Sequence, residues 1–192
     1  MTYRGFLAEM LMAECDDANP NINPATIHTL AACEWVGKGK TLSLIGDSGT
    51  GKSHLLIGLG TEAAMNGYRV RYVLAAKLVN ELVEAADERQ LTKTTARYGR
   101  VDLLCIDGLG YMELDKRGAE LLFQVLTERE ENNSVAIASN ESFGGWTKTF
   151  TDPRLRAAIV GRLTFGGNIL ETGTDSCRLA QTRAQQHVAA PS

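Results

Sequence analysis

Eight residues, Gly46-Asp47-Ser48-Gly49-Thr50-Gly51-Lys52-Ser53, constrain this chain more than any other stretch of it. They match G-x-x-x-x-G-K-[ST]. In that pattern backbone N–H groups curl round a phosphate, a lysine sets its charge on the outer phosphates, and a hydroxyl completes the shell of a Mg2+ ion. The pattern needs a strand that enters and a helix that leaves, because the helix N-terminus supplies part of the field that favours an anion. Both flanks are present: residues 41–45 read as a short buried strand and residues 52–65 as the helix. The alternative, a glycine-rich turn without a ligand, has no need of either flank. The expected ligands are ATP and Mg2+, with Lys52 on the β- and γ-phosphates and Ser53 on the metal.

The rest of the chain extends this strand–loop–helix unit. Gly67 closes the helix, residues 69–74 form a second strand and 75–86 a second helix, and 90–98 is helical again. An apolar run at 101–106 ends in Asp107. Residues 116–130 form a long amphipathic helix, 134–138 a fourth strand and 168–170 a short fifth. Strands alternating with helices predict an α/β fold, a parallel sheet covered on both faces, with ligands at the carboxyl ends of its strands. Residues 25–36 read as one further helix. Residues 1–30 fit the pattern poorly, 31–183 hold the core, and 184–192 look like a fraying tail.

Bulk properties exclude several classes. A chain of 192 residues holds one full α/β core and hardly two. No apolar run is long enough to span a bilayer and no basic, then apolar, leader opens the chain, which makes the cytoplasm the expected location, without a membrane partner. Cys15, Cys33, Cys105 and Cys177 are scattered with no C-x-x-C pair, so reduced thiols are expected rather than zinc or disulfides. A formal charge of −3 leaves any contact with nucleic acid to a local stripe or to an assembly of copies.

A phosphate loop requires a carboxylate at the end of a neighbouring buried strand. Asp107 is the candidate, with a helix cap or turn as its bland alternative. Asn140, after the fourth strand, can orient water or sense a γ-phosphate, or simply close an Asx-turn. Arg89, Lys93 and Arg97, spaced by four, would stack on one helical face. They make either a phosphate-contacting stripe or a solvated face balanced by Glu84, Asp87 and Glu88. Trp146 and Phe150, also four apart, read as core rather than as a base-stacking platform, and Cys105 as a small buried strand residue.

Several motifs in order carry a family resemblance. They are the loop with His54-Leu55, Asp107-Gly108-Leu109-Gly110-Tyr111, Leu122-Phe123 and Ala138-Ser139-Asn140. Trp146 with Phe150-Thr151-Asp152-Pro153, Arg162-Leu163 and Thr174-Asp175-Ser176-Cys177-Arg178 complete the set. Over roughly residues 36–183 the chain resembles the IstB/DnaC group of AAA+ ATPases, most closely the IstB helper ATPases of bacterial insertion sequences. The resemblance implies a P-loop NTPase core with strand order 5-1-4-3-2. It also implies ATP-dependent self-assembly into a spiral or ring on DNA and presentation of that DNA to the element's transposase; DnaC-like members instead load a replicative helicase. Position by position, it makes Asn140 the first sensor, Arg162 an arginine finger reaching a neighbour's γ-phosphate, and Arg178 the second sensor. Residue chemistry alone reads both arginines as surface ion-pair partners. The resemblance also places the segment carrying Arg89, Lys93 and Arg97 towards the channel of the assembly.

Three departures from the group stand out. Gly108 occupies the position of the glutamate that polarises the attacking water, and losing a general base costs about 10²–10⁴-fold in rate. Binding of ATP with very slow hydrolysis, or a static nucleotide-binding assembly module, is therefore expected. Gly161 replaces the usual aspartate before Arg162. The basic stretch that normally precedes the core is missing, which makes residues 1–30 a shortened remnant of the helical N-terminal segment.

Overall fold

A computed structural model describes residues 22–129 and 133–174. Its centre is a five-stranded sheet made of β1 (Leu42–Ile45), β2 (Val70–Leu74), β3 (Leu103–Leu109), β4 (Ser134–Ser139) and β5 (Asn168–Glu171). Every neighbouring pair is parallel, and the order across the sheet is β2-β3-β4-β1-β5, which is 5-1-4-3-2 from the other edge. The order expected from the resemblance is thus the order found.

Alternation along the central strands divides the core into two. Leu42, Leu44, Leu103, Cys105, Ala136 and Ala138 face α1 (Pro24–Ala31), α2 (Glu34–Gly37) and α3 (Lys52–Met65). Leu104, Ile106, Val135 and Ile137 face α4 (Ala75–Asp87), α5 (Leu91–Gly99), α6 (Lys116–Glu128) and α7 (Pro153–Thr164). Both faces of β1, β3 and β4 are buried, which is why these strands read as unbroken runs of small and apolar residues. Truncating one fully buried member such as Leu104 costs about 2–5 kcal/mol.

Local details refine the expected elements, and two differ from expectation. The helix expected over 25–36 is two helices, because Cys33 between them adopts φ +57°; α2 is tied back by the Trp35 indole, which donates to the Leu30 carbonyl at 2.9 Å. α1 opens on Asn23 and Pro24: Pro24 stands at the first helical position and the Asn23 Oδ1 accepts from the Ala25 N–H at 2.9 Å. α1 buries Ile27 and Leu30 in the core, so the boundary expected at residue 30 cuts through a packed helix. α7, which carries Gly161 and Arg162, opens on Asp152 followed by Pro153, a cap signal; the Asp152 carboxylate accepts from the N–H groups of Arg154 and Leu155.

Trp146 is fully buried, edge-on to Phe143 with centroids 5.0 Å apart and tilted against Phe150 at 5.4 Å. These rings are core, as expected. So is Cys105, 1% exposed, whose thiol is pushed up to about 12 by burial. Cys33 and Cys105 are free thiols, and no helix among the described residues is long and apolar enough to cross a membrane.

Candidate nucleotide site

The carboxyl ends of β1, β3 and β4 meet at one edge of the sheet. Ile45 pairs with Ser139, and Asp107 with Ala138, so the loop after β1, the acid on β3 and the turn after β4 lie side by side. Gly49 and Gly51 hold φ of +86° and +89°, the left-handed region that costs an L residue about 1–2 kcal/mol. Gly46 is needed for a different reason: a Cβ there would come within 2.2 Å of the Thr172 Oγ1. The Thr50 and Thr172 hydroxyls share a buried hydrogen bond of 2.6 Å, clamping the loop to the end of β5. Asp47 and Ser48 form the exposed crest of the loop.

α3 begins at Lys52 behind Gly51, with no side chain capping it. Its first N–H groups therefore point into the loop without a capping side chain, the arrangement that accepts an anion. Lys52 is buried and its ammonium turns inward, donating to the Asp47 carbonyl at 2.5 Å and to the Thr50 hydroxyl at 3.3 Å. Burial lowers its pKa, and the charge of Asp107 opposes that shift. Ser53 is exposed on the first turn. The positive-φ glycines, the uncapped helix start, the inward lysine and the nearby acid fit a Mg2+-nucleotide.

Asp107 is 8% exposed, and its Oδ2 accepts a 2.5 Å hydrogen bond from the Tyr72 phenol. Tyr72 is not among the expected site residues, since nothing local marks a strand tyrosine as a partner of an acid 35 residues away. The strand does not stop at Asp107. The ladder shifts register between Asp107 and Leu109, leaving Gly108 as the extra residue of a bulge at φ +77°. Asp115 caps α6, accepting from the Gly118 N–H at 2.7 Å, while Glu113 is exposed.

Asn140 does not close an Asx-turn: its Oδ1 is buried and accepts no hydrogen bond among the described residues. Ser139 makes the turn instead, its hydroxyl donating to the Glu141 carbonyl at 2.7 Å and accepting from the Trp146 indole at 3.0 Å. A buried amide oxygen without a donor, on the residue that follows the carboxyl end of β4, is an unsatisfied acceptor of the kind that functional sites retain.

The remaining candidates stand apart. Arg162 lies near the end of α7, where the Thr41 hydroxyl donates to the Leu163 carbonyl at 2.7 Å and the Asn168 N–H to the Thr41 carbonyl at 2.8 Å. That is the amino end of β1 and β5, opposite the phosphate loop. There Arg162 stacks over Phe123 at 5.6 Å and lines a cleft of about 690 Å³ with Lys38, Lys40 and the exposed Phe165. Arg178 lies outside the described residues. The basic stripe is not one helical face: Arg89 sits in the turn after α4 at φ +57°, and only Lys93 and Arg97 share α5. The Arg97 guanidinium is paired with Glu81 and rests 5.5 Å from the Tyr98 ring. Asp87, one of the acids expected to balance the stripe, instead pairs with Arg117 at 2.5 Å.

Comparison with known proteins places this site in a family. The model of the IstB-like ATP binding proteins matches residues 7–185. An insertion-sequence ATP-binding protein of Sinorhizobium fredii is similar, at 36% identity over 84% of this chain and 55% of its own length. The ATP-binding protein of insertion sequence IS5376 from Geobacillus stearothermophilus is 33% identical over 88% of this chain and 67% of its own. That of IS21 from Pseudomonas aeruginosa is 31% identical over 85% and 62%. The chain thus spans 55–67% of the length of these curated relatives. Among solved structures, DnaI has the same fold at TM-score 0.65 and 24% identity, over 88% of this chain and 93% of its own. The DnaC helicase loader follows at TM-score 0.63 and 19%, over 81% and 96%. AMPPCP-bound DnaA from Aquifex aeolicus matches at 0.64 and 22%, over 88% and 52%. With a phosphate loop and partner acid on a parallel sheet of order 5-1-4-3-2, and insertion-sequence relatives above 30% identity, the chain belongs to the family of IstB-like ATP binding proteins.

Proposed function

We propose that this chain is a nucleotide-gated helper of insertion-sequence transposition, which binds Mg2+-ATP between its phosphate loop and Asp107 and self-assembles on DNA in the cytoplasm for the transposase of the same element. The observation that carries the nucleotide part is the convergence of the inward Lys52, the uncapped start of α3, buried Asp107 and the unpaired Asn140 oxygen at one sheet edge. The insertion-sequence relatives support the setting; the likeness to the DnaC loader is one of fold and favours helicase loading no further.

In this reading the amides of 46–51 and the Lys52 ammonium hold the phosphates, and Ser53 and Asp107 hold the metal. A Mg2+ ion held there would supply charge neutralisation to the phosphates. Asn140 orients water at the γ-phosphate, Arg178 contacts the nucleotide of its own subunit, and Arg162 reaches that of a neighbour. The placement of Arg162 at the far end of the sheet supports action between subunits, since it cannot serve its own loop. Gly108 brings no carboxylate, and the nearby Asp115 is committed to a helix cap, so hydrolysis is slow and the ATP state long-lived.

The test is ATP binding and turnover measured side by side on the chain, on Lys52→Ala and on Gly108→Glu. The chain binds, Lys52→Ala does not, and turnover lies about 10²–10⁴-fold below that of the glutamate variant. Turnover by the unchanged chain at the rate of Gly108→Glu rejects the slow state; binding unaffected by Lys52→Ala rejects the site.

A further inference from the structure

We propose that Tyr72 is a positioning residue for the metal-binding acid: its phenol pins one oxygen of Asp107 so that the other faces the phosphate loop. This rests on the Mg2+-ATP reading above and names a residue that the phosphate-loop pattern does not contain.

The geometry follows from strand register. Tyr72 on β2 stands opposite Cys105 on β3, and Asp107 is the next residue on the same face of β3. A diagonal neighbour of this kind lies within reach of a long side chain, and the Tyr72 ring spans the gap to Oδ2 at 2.5 Å. It is the only hydrogen bond to the Asp107 carboxylate among the described residues. The positive group whose charge is felt by Asp107 is the Lys52 ammonium, at the phosphate loop. A buried carboxylate with a neutral donor on one oxygen and a cation in the neighbouring loop is restrained in rotation about its terminal bond, with its second oxygen left for a metal. Tyr72 can do this because it stands on an edge strand, half in solvent at 43% exposure, where its ring fills no core position.

Second partners of this sort set the orientation and basicity of a metal-binding carboxylate, and losing one typically costs about 10–100-fold in metal affinity. The phenol's hydrogen bond goes to Asp107 and to no residue of the loop, so its effect must appear only when the metal is present. That separates positioning from packing.

The experiment uses the full chain, a fluorescent ATP analogue, and a Mg2+ titration set beside an EDTA control. Tyr72→Phe removes one oxygen and keeps the ring. The expected result is a Mg2+ midpoint raised about tenfold, with affinity in EDTA unchanged. In an Asp107→Asn background, Tyr72→Phe adds nothing, because the partner it pins is gone. An unchanged Mg2+ midpoint overturns the proposal. So does an equal loss of affinity in Mg2+ and in EDTA, or an additive loss in the Asp107→Asn background, each of which makes the phenol a packing group. Should the unchanged chain fail to bind the analogue in either buffer, the nucleotide reading itself falls and this inference with it, a result distinct from a silent Tyr72→Phe.

Discussion

Glycine at single positions carries opposite meanings in this chain, and the surroundings of each decide the sign. Gly118 lies on α6 where an added Cβ would stand 2.9 Å from Val79 Cγ1 and 3.0 Å from the capping Asp115 oxygen. Gly118→Ala therefore pushes α6 off α4 and disturbs the cap, at about 1–3 kcal/mol, despite the better helix propensity of alanine. Gly161, inside α7, meets nothing within 4 Å. Gly161→Ala gains about 0.5–1 kcal/mol, or roughly 2–4 °C in thermal midpoint for a chain of this size. Thermal melts of the two variants should move in opposite directions; a shared direction would show that propensity, not packing, governs both. Gly108 is a third case. At φ +77° it relaxes a bulge, so Gly108→Glu lowers the melting point by several degrees even where it raises turnover.

Between elements, polar side chains do the joining where the apolar faces end. Arg129, 1% exposed at the end of α6, donates to the carbonyls of Tyr98, Val101 and Ser134, tying α6, α5 and the start of the sheet to one guanidinium. Burial pulls its pKa down to about 10. The start of β2 is fastened to β3 by Asp102, whose carboxylate accepts from the Arg69 N–H at 2.7 Å and from its guanidinium at 2.7 and 3.1 Å. The hydrogen bonds from Arg69 hold the Asp102 carboxyl at about 2, below its ordinary 3.8. A depressed acid stabilises the folded state above its ordinary pKa and loses that contribution as pH falls towards the folded value. Asp102→Asn is accordingly less stable than the unchanged chain near neutrality, and the gap closes between about pH 4 and pH 2. Denaturation midpoints across that window check it; a pH-independent gap would assign the loss to packing.

At the scale of the whole molecule, the carboxyl and amino ends of the sheet carry separate sets of polar side chains. The carboxyl end gathers the phosphate loop, Asp107 and Asn140, whereas the amino end carries Arg162 in a cleft with Lys38, Lys40 and Phe165. A net charge of −3 allows no general attraction to DNA, so the proposed DNA binding would have to come from a few exposed cations repeated over the proposed assembly. Lys93 is exposed on α5, while Arg97 is partly satisfied by Glu81. Lys93→Glu should lower DNA affinity and flatten the dependence of log affinity on log salt by about 1 for each phosphate no longer neutralised, with ATP affinity unchanged. Retention of DNA at an unaltered salt dependence would remove α5 from the interface.

Local rules made a large part of this protein legible. The phosphate loop, its strand and its helix depend on residues close together along the chain, and strand–helix alternation follows from apolar runs and glycine or asparagine breaks, so the α/β class and the site's main residues could be read directly. Other features depend on which strand lies beside which. The Tyr72–Asp107 bond joins residues 35 apart and the Thr50–Thr172 clamp residues 122 apart. Neither leaves a periodic trace, because each is produced by register across the sheet. The left-handed break at Cys33, the bulge at Gly108 and the bare oxygen of Asn140 belong to the same class: the chain supplied the groups, and packing of distant strands set their backbone angles and neighbours.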